Sequence, residues 1–387
     1  MRRRIVFALI FLLTFSFVAC SRTPAPQPME YIDLDASPIH GFHEIALPEN
    51  LRDFAVAPTF LSPNIHALAA QNGRLWGIQG NLLLYSDNHG EDWTPLRRFR
   101  NPIDTIHHDD YGNLFVATTE GRWLDPGTAK LFRSSDGGDT FYKVLTILSG
   151  APYHWSIASQ NGVMFVSEYG YKGEENNARR IYRSLDYGLT WSIVWEPEPT
   201  HNWHNHKTVF VGDVIYQSIG DRPHNHVIRS TDQGETWELA IDDMHPTGAL
   251  VFDTHVLWAL DSGANETREN NGIAWYDRES GEITSVWQTP APFYGASYAL
   301  TIDPNGTVYA IFLSYLGDEH PASIWYSRDE GQSWSLMGYI DKPWFRGVGL
   351  WQIEADDKFG YIRLETPIEF DGAAEYFLGT LRFELIQ

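Results

Sequence analysis

The sequence predicts an all-β fold, a seven-bladed propeller whose blades are four-stranded antiparallel sheets. The first observation behind this prediction is a short motif that recurs along the chain, with central glycines at Gly90, Gly138, Gly188, Gly234, Gly281 and Gly331. The differences between these residue numbers are 48, 50, 46, 47 and 50. The second observation is a rhythm of four strand-like stretches in each interval. An even period of this length is typical of one supersecondary unit repeated in a ring or array.

The motif is clearest at Ser184-Leu-Asp186-Tyr-Gly188-Leu-Thr190-Trp191, which reads Ser-x-Asp-x-Gly-x-Thr-Trp. Asp and Ser side chains bond their own backbone and close a tight turn, and glycine supplies a positive φ. The motif therefore predicts the turn between the third and fourth strands of a blade, with its aromatic residue packed beneath. Further copies, with substitutions, begin at Ser86, Ser134, Ser230 and Ser327, and a decayed copy spans Asp277 to Gly281.

This motif resembles the Asp-box, or bacterial neuraminidase repeat, of sialidases and many other β-propellers. The resemblance implies that the Asp-boxes lie in the c–d turns, where strands are lettered a to d from the channel outwards. It also implies that the Asp-box face is structural and lies away from active sites. Sialidases carry an early Phe/Tyr-Arg-Ile-Pro motif, whereas no Ile-Pro follows Arg52, the first arginine of the propeller region. The resemblance therefore covers the fold, and sialidase activity is not expected.

Residues 1–19 read as a lipoprotein signal peptide. Arg2, Arg3 and Arg4 precede an apolar stretch from Ile5 to Val18 that is short for a transmembrane helix. The end of this stretch, Phe17-Val-Ala-Cys20, resembles a bacterial lipobox cleaved before Cys20, the only cysteine of the chain. The following Ser21 favours the outer membrane, by resemblance to Gram-negative sorting signals. We expect a lipid-anchored protein in the cell envelope, with residues 20–37 as a Pro-rich tether and residues 38–387 as the propeller.

The composition narrows the set of partners. The formal net charge of −22 disfavours nucleic acid and anionic membrane surfaces. Contact with a membrane is therefore expected through the lipid anchor only, and we expect a monomer. Aromatic residues make up 14% of the chain, including 15 Trp, which suits repeated strands and a sugar-binding surface.

The last repeat lacks one strand. Three strand candidates, 348–353, 359–364 and 377–385, follow the sixth unit, and none of them carries the motif. The early stretch Phe42–Leu47 is predicted to supply the missing outer strand. Pairing of this strand with the last blade would close the ring and remove exposed sheet edges.

The topology then sorts residues by face. The a–b and c–d turns share one face, and the longer, polar b–c loops share the other face with the d-to-a connections. Binding residues concentrate on loops held by a rigid scaffold, so the b–c loop face is the candidate functional face. Histidines gather there, most densely in the run His201-Asn-Trp-His204-Asn-His206-Lys207.

Two kinds of chemistry fit these residues. Glu168 and Asp221 end strand b of neighbouring blades and could serve glycoside hydrolysis as a carboxylate pair. Alternatively, a His and a Tyr could serve β-elimination of a uronate, in which a base takes the C5 proton. His206 is the preferred base. The catalytic candidates are His206, His154, Tyr169, Glu168 and Asp221, and the substrate-binding candidates are Trp203, Arg222, Arg346, Tyr171 and His224.

A divalent metal at His204, His206 and His154 is a further possibility, although no zinc motif spacing is present. No other cofactor is indicated. We expect a surface carbohydrate-active enzyme, a polysaccharide lyase or a glycoside hydrolase, that cleaves an acidic poly- or oligosaccharide. The first alternative is a non-catalytic glycan- or protein-binding propeller. The second is an envelope assembly or stability factor resembling photosystem assembly propellers.

Overall fold

The computed structural model shows seven antiparallel sheets arranged as the blades of a propeller. It describes residues 27–28, 39–40, 51–56, 58–60, 65–71, 73–120, 128–147, 150, 152–153, 156–169, 180–196, 204–220, 225–244, 246–261, 271–293, 295–313, 321–340, 349–365 and 379–386. Within these residues there are strands and turns but no helix, and hence no helix that is long and apolar enough to cross a membrane. The predicted all-β, seven-bladed architecture is confirmed.

The first four blades are meanders whose strands follow one another from the channel outwards. Blade 1 consists of β5 (His66–Gln71), β6 (Arg74–Gln79), β7 (Leu82–Ser86) and β8 (Asp92–Arg98), and blade 2 of β9 (Ile103–His108), β10 (Leu114–Thr119), β11 (Ala129–Ser134) and β12 (Tyr142–Ile147). Blade 3 consists of β13 (Ile157–Gln160), β14 (Val163–Ser167), β15 (Ile181–Ser184) and β16 (Ser192–Trp195), and blade 4 of β17 (His204–Val211), β18 (Val214–Gly220), β19 (His226–Ser230) and β20 (Glu238–Asp242).

Blades 5 and 6 repeat this order, and blade 7 departs from it in its outer strand. Blade 5 consists of β21 (Pro246–Val251), β22 (His255–Leu260), β23 (Gly272–Asp277) and β24 (Glu282–Trp287), and blade 6 of β25 (Ala296–Ile302), β26 (Val308–Leu313), β27 (Ala322–Ser327) and β28 (Ser335–Ile340). Blade 7 contains three consecutive strands, β29 (Gly349–Ala355), β30 (Phe359–Glu365) and β31 (Gly379–Glu384), and takes its fourth from the N-terminal part of the chain.

That fourth strand is β4 (Thr59–Phe60), which pairs with β31 through Leu381↔Phe60 and Arg382↔Thr59. Closure of the ring by an early strand is therefore confirmed, but the prediction that residues 42–47 occupy this place was wrong. Chain continuity gives the reason, because β4 ends only a few residues before β5 opens blade 1. Residues 42–47 themselves lie outside the described part of the chain.

Three more two-residue strands place the N-terminal segment along the rim of the propeller. β1 (Gln27–Pro28) pairs with β12 of blade 2, β2 (Ile39–His40) with β8 of blade 1, and β3 (Leu51–Arg52) with β28 of blade 6. We call the four two-residue strands β1 to β4 the N-terminal strap. Its first pairing lies inside the segment 20–37 predicted as a tether.

The Asp-box turns have the hydrogen bonds that their sequence predicts. In blade 3 the amide of Gly188 donates to Ser184 Oγ at 2.9 Å, and the amide and hydroxyl of Thr190 donate to Asp186 at 2.8 and 2.6 Å. Gly188 has a φ of 74°. A Cβ at this position would come within 2.5 Å of the Phe115 ring of the preceding blade. Glycine is thus required both for the turn and for blade packing.

Basic side chains tie several blades to the next Asp-box by donating to the backbone carbonyl of the residue before its glycine. The donor–acceptor pairs are Arg133 Nε to Tyr187 O (2.8 Å), Arg183 Nη1 to Gln233 O (2.9 Å), His255 Nε2 to Glu330 O (3.1 Å) and Arg382 Nη1 to His89 O (2.9 Å). The last pair joins blade 7 to blade 1 and so belongs to the ring closure.

Candidate functional site

Residues at the start of strand β17 and the end of strand β14 meet on the b–c loop face of blades 3 and 4. The ring of Tyr169 lies 4.4 Å from that of His204 and 5.6 Å from that of His206, between centroids. The amide of Asn205 donates to the carbonyl of Glu168 at 3.2 Å, which joins the two blades. The structure therefore brings four of the predicted site residues together: Glu168, Tyr169, His204 and His206.

His204 and His206 form a buried, stacked pair. They lie two residues apart on one strand, so their rings share a face, with centroids 4.5 Å apart and planes inclined by 17°. Their Nε2 atoms are 2.5 Å apart, so one ring donates a hydrogen and the other accepts it. Gly220, on the adjacent strand, makes room for the pair, because a Cβ there would meet His206 Nε2 at 2.6 Å. A proton can pass between the two rings along this contact.

The metal site predicted at His204, His206 and His154 needs a third ligand besides this pair. His154 lies outside the described residues, so the three-histidine set stays a prediction.

Glu168 is completely buried beside this pair. Its Oε1 accepts a hydrogen bond from the Tyr182 hydroxyl at 2.6 Å, and its Oε2 accepts one from the Arg180 amide at 3.0 Å. The guanidinium of Arg180 lies 3.7 Å from Oε1. Burial, and then the charge of Glu168, raise the pKa of Tyr182, so this hydroxyl keeps its proton and donates it. Tyr182 and Arg180 thus hold the Glu168 side chain in place at the start of the b–c loop.

A second buried carboxylate stands at the equivalent strand end in blade 5. Asp261 Oδ2 accepts a hydrogen bond from the Tyr298 hydroxyl of blade 6 at 2.6 Å. Tyr298 and Tyr169 belong to the same cluster of buried apolar side chains, and Tyr153 packs edge-on against Tyr169 at 4.8 Å. This apolar cluster therefore includes aromatic residues that contact Glu168's neighbour Tyr169 and the Asp261 carboxylate. Sequence reasoning missed Asp261, although it directly follows a strand b, as Glu168 does.

Other predicted site residues lie outside the described part of the chain and stay predictions. Asp221 directly follows Gly220, whose backbone pairs with that of His204. The remaining ones are Trp203, Arg222, His224, Tyr171 and Arg346, together with the lipidation candidate Cys20.

Deeper in the channel lie polar groups of strands a from several blades. Burial lowers the pKa of Lys207, and the charge of Glu354 of blade 7 opposes this effect. Burial raises the pKa of Glu354 to about 7, while a hydrogen bond from Gln352 at 3.0 Å and the charge of Lys207 act the other way. His107 of blade 2 is bonded to Ser159 of blade 3 at 2.8 Å, and burial lowers its pKa to about 3.

On the Asp-box face, His89, Asp356 and Asp357 place their ligand atoms within 4.8 Å of one another at the junction of blades 7 and 1. Asp356 Oδ2 already contacts His89 Nδ1 at 2.8 Å and accepts the Tyr361 hydroxyl at 2.6 Å. These contacts make the group part of the ring closure.

Comparisons with known proteins agree with the repeat. The model of the BNR/Asp-box repeat matches residues 228–239 and 325–336. A xyloglucanase from Paenibacillus sp is 24% identical, over 65% of this chain and 28% of its own length. The chain therefore spans about a quarter of that relative.

Solved structures show the same fold. The GH74 enzyme of Niastella koreensis matches with a TM-score of 0.56 and 16% identity, over 81% of this chain and 52% of that one. A structure described as YCF48 bound to D1 peptide matches with a TM-score of 0.53 and 16% identity, over 86% and 96%. The chain thus carries Asp-box (BNR) repeats within a seven-bladed β-propeller.

Proposed function

We propose that this propeller is a glycoside hydrolase whose active site is the channel mouth on the b–c loop face. The observation that carries the proposal is the proton-sharing pair His204–His206, packed under Tyr169 and beside the fixed carboxylate of Glu168. The similarity to a xyloglucanase favours hydrolysis over β-elimination. Because the chain spans only part of that relative, the activity is proposed for this chain on its own residues.

Hydrolysis needs one group that protonates the leaving oxygen and one that activates water. In the proposal, His206 gives its proton to the leaving glycosidic oxygen as that bond breaks, and His204 passes a proton back to His206. Asp221, which follows Gly220 in the sequence, is proposed as the carboxylate that takes a proton from the attacking water. Glu168 stays ionised under the site and favours the positive charge that develops on the sugar ring. Tyr182 and Arg180 are positioning residues for Glu168.

The substrate class is inferred from the net charge of the chain and from the similarity to a xyloglucanase. A chain with a net charge of −22 repels polyanions, so a neutral β-glucan such as xyloglucan is the first substrate to test. The acidic polysaccharides expected from the sequence form the second arm of the test.

The experiment incubates purified protein with xyloglucan and, separately, with acidic polysaccharides. Two products are read: new reducing ends, and the absorbance of unsaturated uronates. Reducing ends from xyloglucan without unsaturated products support the proposal. Unsaturated uronates would establish a lyase instead. Saturable glycan binding without any product would leave a non-catalytic glycan-binding propeller, which is the remaining alternative. Absence of both glycan cleavage and glycan binding would favour a protein-binding or assembly role.

We further propose that the protein is anchored in the outer membrane through a lipid on Cys20, which would be the first residue of the mature chain. The lipobox-like residues 17–20 support this proposal. Cys20→Ala should move the protein from the membrane fraction to the soluble fraction of cells. Persistence in the membrane fraction would show that the anchor lies elsewhere.

A further inference from the structure

The N-terminal strap meets the propeller first at blade 2. Gln27 and Pro28 pair with Lys143 and Tyr142 of strand β12. The proposed lipidated Cys20 stands only seven residues earlier, 27 minus 20. Since an extended chain spans at most about 3.5 Å per residue, the lipid and the edge of blade 2 can be no more than about 25 Å apart. The outer edge of blade 2 is therefore held close to the bilayer.

Exposed apolar side chains concentrate on blade 2 and on the neighbouring blade 3. Ten large apolar side chains are exposed in the described part of the chain, and six of them belong to blades 2 and 3. The other four are spread over blades 4, 5 and 6. We call the six residues the apolar corner: Tyr111, Tyr142, Leu185, Tyr187, Leu189 and Ile193.

The apolar corner lies on the Asp-box face and the rim. Tyr111 is at the a–b turn of blade 2, and Leu185, Tyr187 and Leu189 are in the Asp-box of blade 3. The rings of Tyr111 and Tyr187 meet edge to face, with centroids 4.7 Å apart. Tyr187 has a φ of 61°, a backbone region that costs a non-glycine residue about 1 kcal/mol or more.

The turn does not require a tyrosine at that position, because Gly137 occupies the same place in the box of blade 2 with a φ of 73°. Two exposed leucines beside a tyrosine pair are also not needed for the Asp-box hydrogen bonds. Tyrosine places an apolar ring in lipid and its hydroxyl in the headgroup layer, and leucine adds apolar area. The composition of the corner thus matches a membrane interface.

We infer that the apolar corner rests on the bilayer in which Cys20 is anchored. The inference depends on the anchor proposed above and adds an orientation to it. Tyr111 and the Asp-box leucines lie on the face opposite to the His204–His206 pair. The channel mouth therefore faces away from the lipid, towards glycans in solution. Because the chain is acidic, apolar contact and not charge attraction holds the corner, and zwitterionic lipid is sufficient.

The test uses lipidated full-length protein with one introduced cysteine at a time. Tyr142→Cys and Leu185→Cys mark the corner. Val286→Cys is the matched control, because Val286 is as exposed as Tyr142, 38% each, and lies on the outermost strand of blade 5, across the ring. Each variant is labelled with a fluorescent donor and bound to phosphatidylcholine vesicles that contain a headgroup-linked acceptor.

Energy transfer from the corner positions should exceed that from Val286→Cys by at least about twofold, since an interfacial segment lies at headgroup depth. Equal transfer from all positions of a vesicle-bound protein would overturn the orientation while leaving the anchor intact. Failure to bind vesicles, together with labelling of Cys20 itself, would overturn the anchor and the orientation together. Glycan cleavage is measured on the same samples and is independent of either result.

A second pair of variants tests the apolar contact directly. Leu185→Glu combined with Leu189→Glu should lower transfer from the Tyr142→Cys label to about half or less, because charged side chains leave the apolar interface. Leu239→Glu on blade 4 is the control, since Leu239 is 58% exposed and Leu185 54%. Unchanged transfer in the double variant would contradict the inference. If energy transfer from the corner is seen only with vesicles that contain membrane proteins, and not with pure lipid, the apolar corner binds a protein partner.

Discussion

Glu354 is a buried residue through which pH acts on folding. Burial raises its pKa to about 7 from 4.5, so the folded state holds this proton more tightly than the unfolded state. Its contribution to stability is complete below pH 4.5 and is lost as pH rises through 7. Lys207 and Gln352 face it and limit the effect.

Glu354→Gln should therefore flatten the decline of stability between pH 4.5 and 7. The free energy of unfolding of the unmodified protein should fall over this range by about 1 to 3 kcal/mol more than that of the variant. Urea unfolding at a series of pH values measures the difference. Parallel curves for the two proteins would show that the carboxyl of Glu354 titrates alike in both states.

The candidate site shows what residue types alone predict. The positions of Glu168, Tyr169, His204 and His206 at strand ends were enough to bring them together, because the blade topology fixes which ends meet. The hydrogen bond from Tyr182 to Glu168 and the close contact of the two imidazoles depend on side-chain rotamers, which spacing does not encode. Asp261 was missed because its tyrosine partner comes from the next blade.

At the level of the element, the Asp-box turn is predicted by its sequence because the hydrogen bonds among its own Ser, Asp, Gly and Thr residues are local. Asp186 receives bonds from Thr190 and Ser184, whereas Asp277 of the decayed copy receives bonds from the amides of Glu279 and Ser280. The two-residue strands of the N-terminal strap were not predicted, because two residues show no alternation and their partners lie far along the chain.

Asp186→Ala should destabilise the propeller by about 1 to 3 kcal/mol, because it leaves the amide and hydroxyl of Thr190 without their acceptor. Asp277→Ala is the comparison in the decayed box of blade 5, where Asp277 stands four residues before Gly281, at the position of Ser184. It should cost less, since this box lacks the Asp–Thr pair of bonds and Asp277 accepts from the exposed residues Glu279 and Ser280. Thermal unfolding compares the two variants. A larger loss for Asp277→Ala would contradict the role given to the complete box.

At the level of the whole molecule, stability depends on ring closure. β4 covers β31, and the Arg382 bond to His89 joins blade 7 to blade 1. Removal of residues 1–56 keeps β4 but deletes the rest of the strap, whereas removal of residues 1–60 exposes the edge of β31. An uncovered edge strand pairs with other chains.

The shorter truncation should therefore remain a folded monomer, and the longer one should aggregate or unfold at a lower temperature. Size-exclusion chromatography and thermal unfolding separate these outcomes. Equal behaviour of the two proteins would show that Thr59–Phe60 is not needed to close the ring.

We propose that the His204–His206 pair at the channel mouth performs glycan cleavage. The most direct test is the rate of reducing-end release from xyloglucan by the unmodified protein, by His206→Ala and by the control His226→Ala, which alters a histidine on strand β19 of the same blade. His206→Ala should lower the rate by about 10²-fold or more with unchanged thermal unfolding, while His226→Ala should stay close to the unmodified protein. Full activity of folded His206→Ala on a substrate that the unmodified protein cleaves would contradict the proposal.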